Sequence, residues 1–112
     1  MTRYLISFDD GSMRFPAEDL PAVGAAAHAV VAQAKAAGAW VTGGGVERQA
    51  ATVVARDGSA TTTELPAVGA FIGGFAIVDV ASRDEALTWA ARFAAACRCA
   101  QEVRELMDDP EV

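Results

Sequence analysis

A chain of 112 residues is long enough for one domain with a single modest core, and its 53% apolar content excludes a disordered chain. A formal net charge of −6, with Lys and Arg scattered rather than clustered, excludes the electrostatic footprint of a nucleic-acid-binding protein. No apolar run reaches the roughly 18 residues a membrane-spanning helix needs, so neither nucleic acid nor membrane is expected as a partner.

The first ten residues turn acidic at Asp9-Asp10 too early for a signal peptide, and a cytoplasmic protein is expected. Arg3 to Asp9 reads as the first strand, with Tyr4, Ile6 and Phe8 on one face and Leu5 and Ser7 on the other. Asp9-Asp10-Gly11-Ser12 is turn chemistry, and as a metal pair the two aspartates lack a third ligand within sequence reach. The first helix is predicted from Pro21 to Gly38, since proline suits a first turn and glycine the position past the end. Its apolar stripe is Val23, Ala26, Ala27, Val30, Val31 and Ala34.

His28, the only histidine, lies off the centre of that stripe, on a flank shared with Gly24, Val31 and Lys35. It is either a partly exposed surface residue or a general acid or base at the edge of a cleft, work that suits a side chain titrating near neutrality. Gly24, one turn earlier, would leave room for a ligand beside the ring. Ala39-Trp40-Val41 leads into Thr42-Gly43-Gly44-Gly45, which has neither a P-loop lysine nor dinucleotide-fingerprint spacing. These glycines are read as a turn, or as backbone passing close to a ligand or a subunit.

Ala51 to Arg56 and Ser59 to Glu64 flank Asp57-Gly58 and read as a hairpin. Leu65-Pro66 ends its second strand, and Ala67 to Ile72 is a linking segment. Gly73-Gly74 then opens a strand with Phe75, Ile77 and Asp79 on one face and Ala76, Val78 and Val80 on the other. A strand apolar on both faces is expected in a sheet covered on both sides. Ser82 and Glu85 form a capping box for a second helix, whose stripe is Ala86, Trp89, Ala90, Phe93, Ala94 and Cys97. Cys97 and Cys99 are spaced neither as a redox pair nor as half a zinc knuckle and are read as structural filler. Gln101 to Met107 reads as the last strand, and residues 108–112 as a polar tail to a single domain over 1–107.

The order strand, helix, hairpin, strand, helix, strand predicts an α+β, ferredoxin-like sandwich: one antiparallel sheet that includes the hairpin, with both helices on one face. The opposite sheet face is apolar enough to predict a homodimer that stacks two sheets. One histidine among scattered acids makes no zinc site, and no cofactor is expected.

Several stretches together carry a family resemblance. These are Ala27-His28, the run from Ala36 to Val46 through Gly38 and Gly43-Gly44-Gly45, the segment Gly73 to Val80, Asp84-Glu85-Ala86-Leu87-Thr88-Trp89-Ala90-Ala91-Arg92, and Glu102-Val103-Arg104. From about Arg3 to Met107 the chain resembles the YCII-related family, in particular its DGPF branch. The resemblance implies a dimeric α/β-barrel built from ferredoxin-like subunits, a pocket near the helix histidine, and enzymatic activity through a histidine–aspartate pair. Some DGPF-type domains occur beside sigma factors, which implies a link to transcriptional regulation instead. Where the branch reads Asp-Gly-Pro-Phe, this chain reads Thr61-Thr62-Thr63-Glu64-Leu65-Pro66, and the Lys-Glu that follows is replaced by Gly69-Ala70. Glu64 is the acid nearest to the missing aspartate. Two functions are carried forward. The first is a non-catalytic dimer that binds a small molecule or a regulatory partner. The ligand-binding candidates are Ser7, Gly43, Gly44 and Arg104, with Arg104 or Ser7 holding a polar substrate group if the protein is an enzyme. The second is an enzyme with His28 as general acid or base and Glu64 as its partner.

Overall fold

Alternation along Thr2–Asp9 produces β1, in which Tyr4 and Ile6 are buried against the helices. A computed structural model describes residues 1–64 and 71–112. A single 3-10 turn (Ala17–Asp19) precedes α1 (Leu20–Ala36), which carries proline in its first turn as the sequence predicts. The helix stops at Gly38, whose φ of +73° suits only glycine without strain, and Ala39 N–H reaches back to the Ala34 carbonyl at 2.9 Å.

β2 is Trp40–Gly45, the short β3 and β4 are Thr52–Val54 and Ala60–Thr62, and β5 is Ile72–Val80. α2 (Arg83–Cys97) starts on the expected cap, where Ser82 Oγ accepts from the Glu85 N–H at 3.2 Å. The reciprocal arm lands one residue earlier than in a standard capping box, with the Ala81 N–H donating to Glu85 Oε2 at 3.3 Å. β6 (Glu102–Glu105) closes the order.

Four strands form one sheet in the order β2-β5-β1-β6, every neighbouring pair antiparallel. Without the hairpin this is a ferredoxin-like βαββαβ chain, with β5 inserted between β1 and β2. Both helices cover one face, where Val30 and Ala34 of α1 and Ala86, Trp89, Ala90 and Phe93 of α2 meet Tyr4, Ile6, Ala76, Val78 and Val80. Burying a side chain the size of Phe93 stabilises by about 2 kcal/mol, so this single layer of contacts holds the fold. No closed barrel forms within the chain, because β2 and β6 are free edges of the sheet among the described residues.

The structure corrects two expectations. The hairpin does not join the main sheet: β3 and β4 pair only with each other. All six of its strand residues are exposed, so it has no buried face with which to dock. Its place in the sheet is taken by Trp40–Gly45, read from sequence as an apolar run leading into glycines that turn or that pass close to a ligand or a subunit. Gly43 explains why glycine occupies a strand there. A Cβ at that position would meet the Phe75 carbonyl oxygen and would lie 2.8 Å from both Ala76 Cα and Trp40 Cη2. Strand propensity pointed to the Val/Thr-rich hairpin, and backbone proximity overrode it. The linking segment read over Ala67 to Ile72 lies mostly outside the described residues.

Candidate functional site

The face of the sheet away from the helices is laid out in cross-strand rows. One row is Thr42, Ile77, Leu5 and Arg104, and the next is Gly44, Phe75, Ser7 and Glu102. Leu5, Phe75 and Ile77 are half-buried there, Ser7 is fully buried between its neighbours, and Arg104 is exposed. Asp79 lies opposite Arg3 on the same face, and its Oδ1 is buried with no hydrogen-bond partner among the described residues.

On the helix side, at the β2 edge, α1, β2 and α2 enclose a cleft of about 450 Å³. One wall is the α1 flank read from sequence: His28, Val31 and Lys35 all line it, one turn or two apart, with Ala27 beside them. Gly24, on the same flank, is not among the lining residues. Gly43, Gly44 and Gly45 form the floor at the sheet edge. Phe8 and Met13 enter from β1 and the loop after it, Trp40 from the start of β2, and Phe93, Cys97 and Gln101 from α2 and beyond. Phe8 sits beside Gly74, where a Cβ would come within 2.5 Å of its ring. Trp40 and Phe93 hold a tilted aromatic pair, centroids 6.3 Å apart at 41°.

The electrostatics of this cleft run against those of the chain. The sequence has 15 acidic residues against nine basic ones, yet the described lining contains no carboxylate, only Lys35, His28 and neutral groups. Cys97 shares the wall, and burial, reinforced by the neighbouring Cys99, pushes its thiol above the usual range. It stands in the cleft as a neutral thiol, not as an activated nucleophile. Gln101 Nε2 contacts the Cys99 carbonyl and sulfur at 3.4 and 3.5 Å and so ties the cleft wall to the end of α2.

The residues singled out from sequence thus divide. His28, Gly43 and Gly44 come together at the cleft. Ser7 and Arg104 belong to the opposite face of the sheet. Glu64 is exposed beyond the end of β4, absent from the cleft lining, and makes no hydrogen bond or ion pair with His28 among the described residues. Sequence reasoning missed Phe8, Trp40, Phe93 and Gln101 as cleft residues. Phe93 and Cys97 were legible as an α2 stripe, but a stripe does not distinguish core from cavity wall.

A family model of the YCII-related domain matches residues 3–108. The chain belongs to the YCII-related family. Among solved structures it is similar to 5-chloro-2-hydroxyhydroquinone dehydrochlorinase (TftG) from Burkholderia phenoliruptrix AC1100, in complex with 2,5-dihydroxybenzoquinone. The two share 18% identity with a TM-score of 0.49, over 99% of this chain and 98% of that one. No curated protein sequence matches the chain. No helix of this family member, among the described residues, is long and apolar enough to cross a membrane, and no cluster of His, Cys, Asp and Glu there is placed to hold a metal.

Proposed function

We propose that this member of the YCII-related family is a homodimeric binding protein whose cleft between α1, β2 and α2 takes a small organic molecule. The observation that carries the reading is the cleft itself. It has about 450 Å³ of space, inside the range of small-molecule sites, with aromatic walls and a few convergent polar groups. Among the described residues its histidine has no acid to orient it, which favours binding over proton transfer. The half-buried Leu5, Phe75 and Ile77 on the other sheet face are the surface a second copy would cover, closing two sheets into the dimeric barrel expected from the resemblance. Within the family we place the chain on the DGPF branch, with Thr61 to Pro66 as a degenerate form of its motif. A regulatory role of the kind that branch implies would make the bound molecule the signal.

The test is a thermal-shift screen of small polar and aromatic metabolites on the wild type, His28→Ala and Ala27→Trp, the last filling the cleft from its α1 wall. A compound that raises the wild-type Tm acts by binding the folded state. The reading requires at least one such compound whose shift disappears in Ala27→Trp, with circular dichroism showing that the variant is folded. Hits that all survive the filled cleft would refute it.

A second reading has one observation in its favour: His28 lines the cleft. In that reading His28 is the general acid or base of an enzyme, and Glu64 would have to approach it on ligand binding. Turnover of a screened hit that falls at least about a hundredfold in His28→Gln would establish it.

A further inference from the structure

From the chemistry of its walls we infer that the cleft selects a planar, ring-containing monoanion, an aromatic carboxylate in the simplest form. This rests on the reading of the cleft as a binding site and names what that site prefers.

The sign of the ligand follows from the charges. A chain of net charge −6 keeps every described carboxylate out of this lining and places Lys35 and its only histidine there. Among the described residues the ion pairs are Arg48 with Asp10 and Arg98 with Asp19, so neither Lys35 nor His28 is neutralised by a protein acid. The magnitude of the charge follows from the helix. Lys35 stands in the last turn of α1, at the negative end of the helix dipole, which offsets part of its charge. Among the described residues no arginine and no helix N-terminus lines the cleft. A phosphate dianion is best met by a guanidinium fork or a ring of backbone N–H groups, so a site with one ammonium and one imidazole suits a single negative charge.

The shape of the ligand follows from the rings. Phe8, Trp40 and Phe93 line the space, Trp40 and Phe93 as a tilted pair, and aromatic walls favour a flat π-system over a bulky aliphatic body. β2 contributes a further element. Among the described residues it is an edge strand, so alternate backbone groups on its free side lack a ladder partner, and a Cβ added at Gly44 or Gly45 would meet nothing within 4 Å. A ring substituent that donates or accepts a hydrogen bond finds them open.

Isothermal titration with three matched probes tests this inference: benzoate, benzamide as its neutral isostere, and cyclohexanecarboxylate as its non-planar counterpart. Benzoate is expected to bind the wild type about fivefold tighter than benzamide, the size of one partly exposed ion pair, and about fivefold tighter than cyclohexanecarboxylate, which keeps the charge and loses the aromatic contacts. Lys35→Gln should reduce benzoate to the level of benzamide and leave benzamide unchanged, and raising the salt concentration should act in the same direction. Benzamide or cyclohexanecarboxylate binding as well as benzoate overturns the inference, as does an unaltered benzoate affinity in Lys35→Gln. Failure of all three probes to bind also overturns it. If the metabolite screen still gives hits that Ala27→Trp abolishes, the cleft remains a binding site and only its ligand class is wrong.

Discussion

Gly43 and Gly44 adjoin in one strand but tolerate side chains very differently. A Cβ on Gly43 would strike backbone of β5, which cannot move without unpairing the sheet, whereas one on Gly44 meets nothing within 4 Å. Gly43→Ala is therefore expected to destabilise by about 2 kcal/mol or more, and Gly44→Ala to stay within about 0.5 kcal/mol of wild type, read from urea midpoints. Equal midpoints for the two variants would contradict the close approach of β2 to β5. Cys97 makes a pH-dependent prediction. Its thiol is pushed up by burial, so the folded chain keeps the proton at pH values where the unfolded chain has lost it. The stability this contributes is complete below the ordinary thiol pKa of about 8.5 and is lost as pH rises beyond it. Urea midpoints should fall between pH 8 and 10, and fall less steeply in Cys97→Ala; identical slopes would show that Cys97 contributes none of the loss. His28 shows the limit of reading residues singly. Its flank with Val31 and Lys35 was visible from spacing, but what faces that flank belongs to other elements.

The elements whose signals are local were the legible ones. α2 carries its start in Ser82 and Glu85 and its buried face in Ala86, Trp89, Ala90, Phe93 and Cys97, all within fifteen consecutive positions of the cap. Ser82→Ala removes the acceptor of the Glu85 N–H and should cost about 1 kcal/mol, measured as a lowered urea midpoint. Ser82→Asp should restore most of it, which a purely steric role for Ser82 would not allow. The end of α2 is less regular. Arg98 takes a left-handed conformation at φ 57°, held by its 2.8 Å ion pair to Asp19 and by stacking over Phe15. Glycine is the usual residue there, and nothing in the sequence around Arg98 announced the exception. β2 was the element least visible. Three glycines carry no strand propensity, and the reason for Gly43 lies in β5, some thirty residues away in the chain.

At the scale of the whole molecule, one sheet face is covered by two helices and the other by no described element. The described chain is 18 Å deep along its shortest axis, two layers and no more. Among the described residues Leu5, Phe75 and Ile77 are thus apolar side chains on an uncovered face, and Asp79 places a carboxylate oxygen without a described partner at its margin. If a second copy covers them, Ile77→Lys should convert a dimer into a folded monomer, read by light scattering after size exclusion. A wild type already monomeric at micromolar concentration would remove the dimer from the proposal.

Of the stripe expected on α1 only Val23, Val30 and Ala34 are buried, and Ala26 is exposed. The sequence by itself determined the two helices, the Ser82 cap and most of the buried stripe of α2, the alternation in β1 and β5, and the ferredoxin-like layering of helices on one side of an antiparallel sheet. These are set by contacts within a few residues, or by a periodicity that any one segment displays. Only the tertiary structure decided that Trp40–Gly45 fills the sheet edge in place of the hairpin, and that His28 and Lys35 face aromatic rings from three other segments while Ser7 and Arg104 lie beyond the sheet. Those outcomes depend on which backbones approach one another closely. Close approach is a property of pairs of segments distant in sequence, which neither composition nor spacing along one of them records.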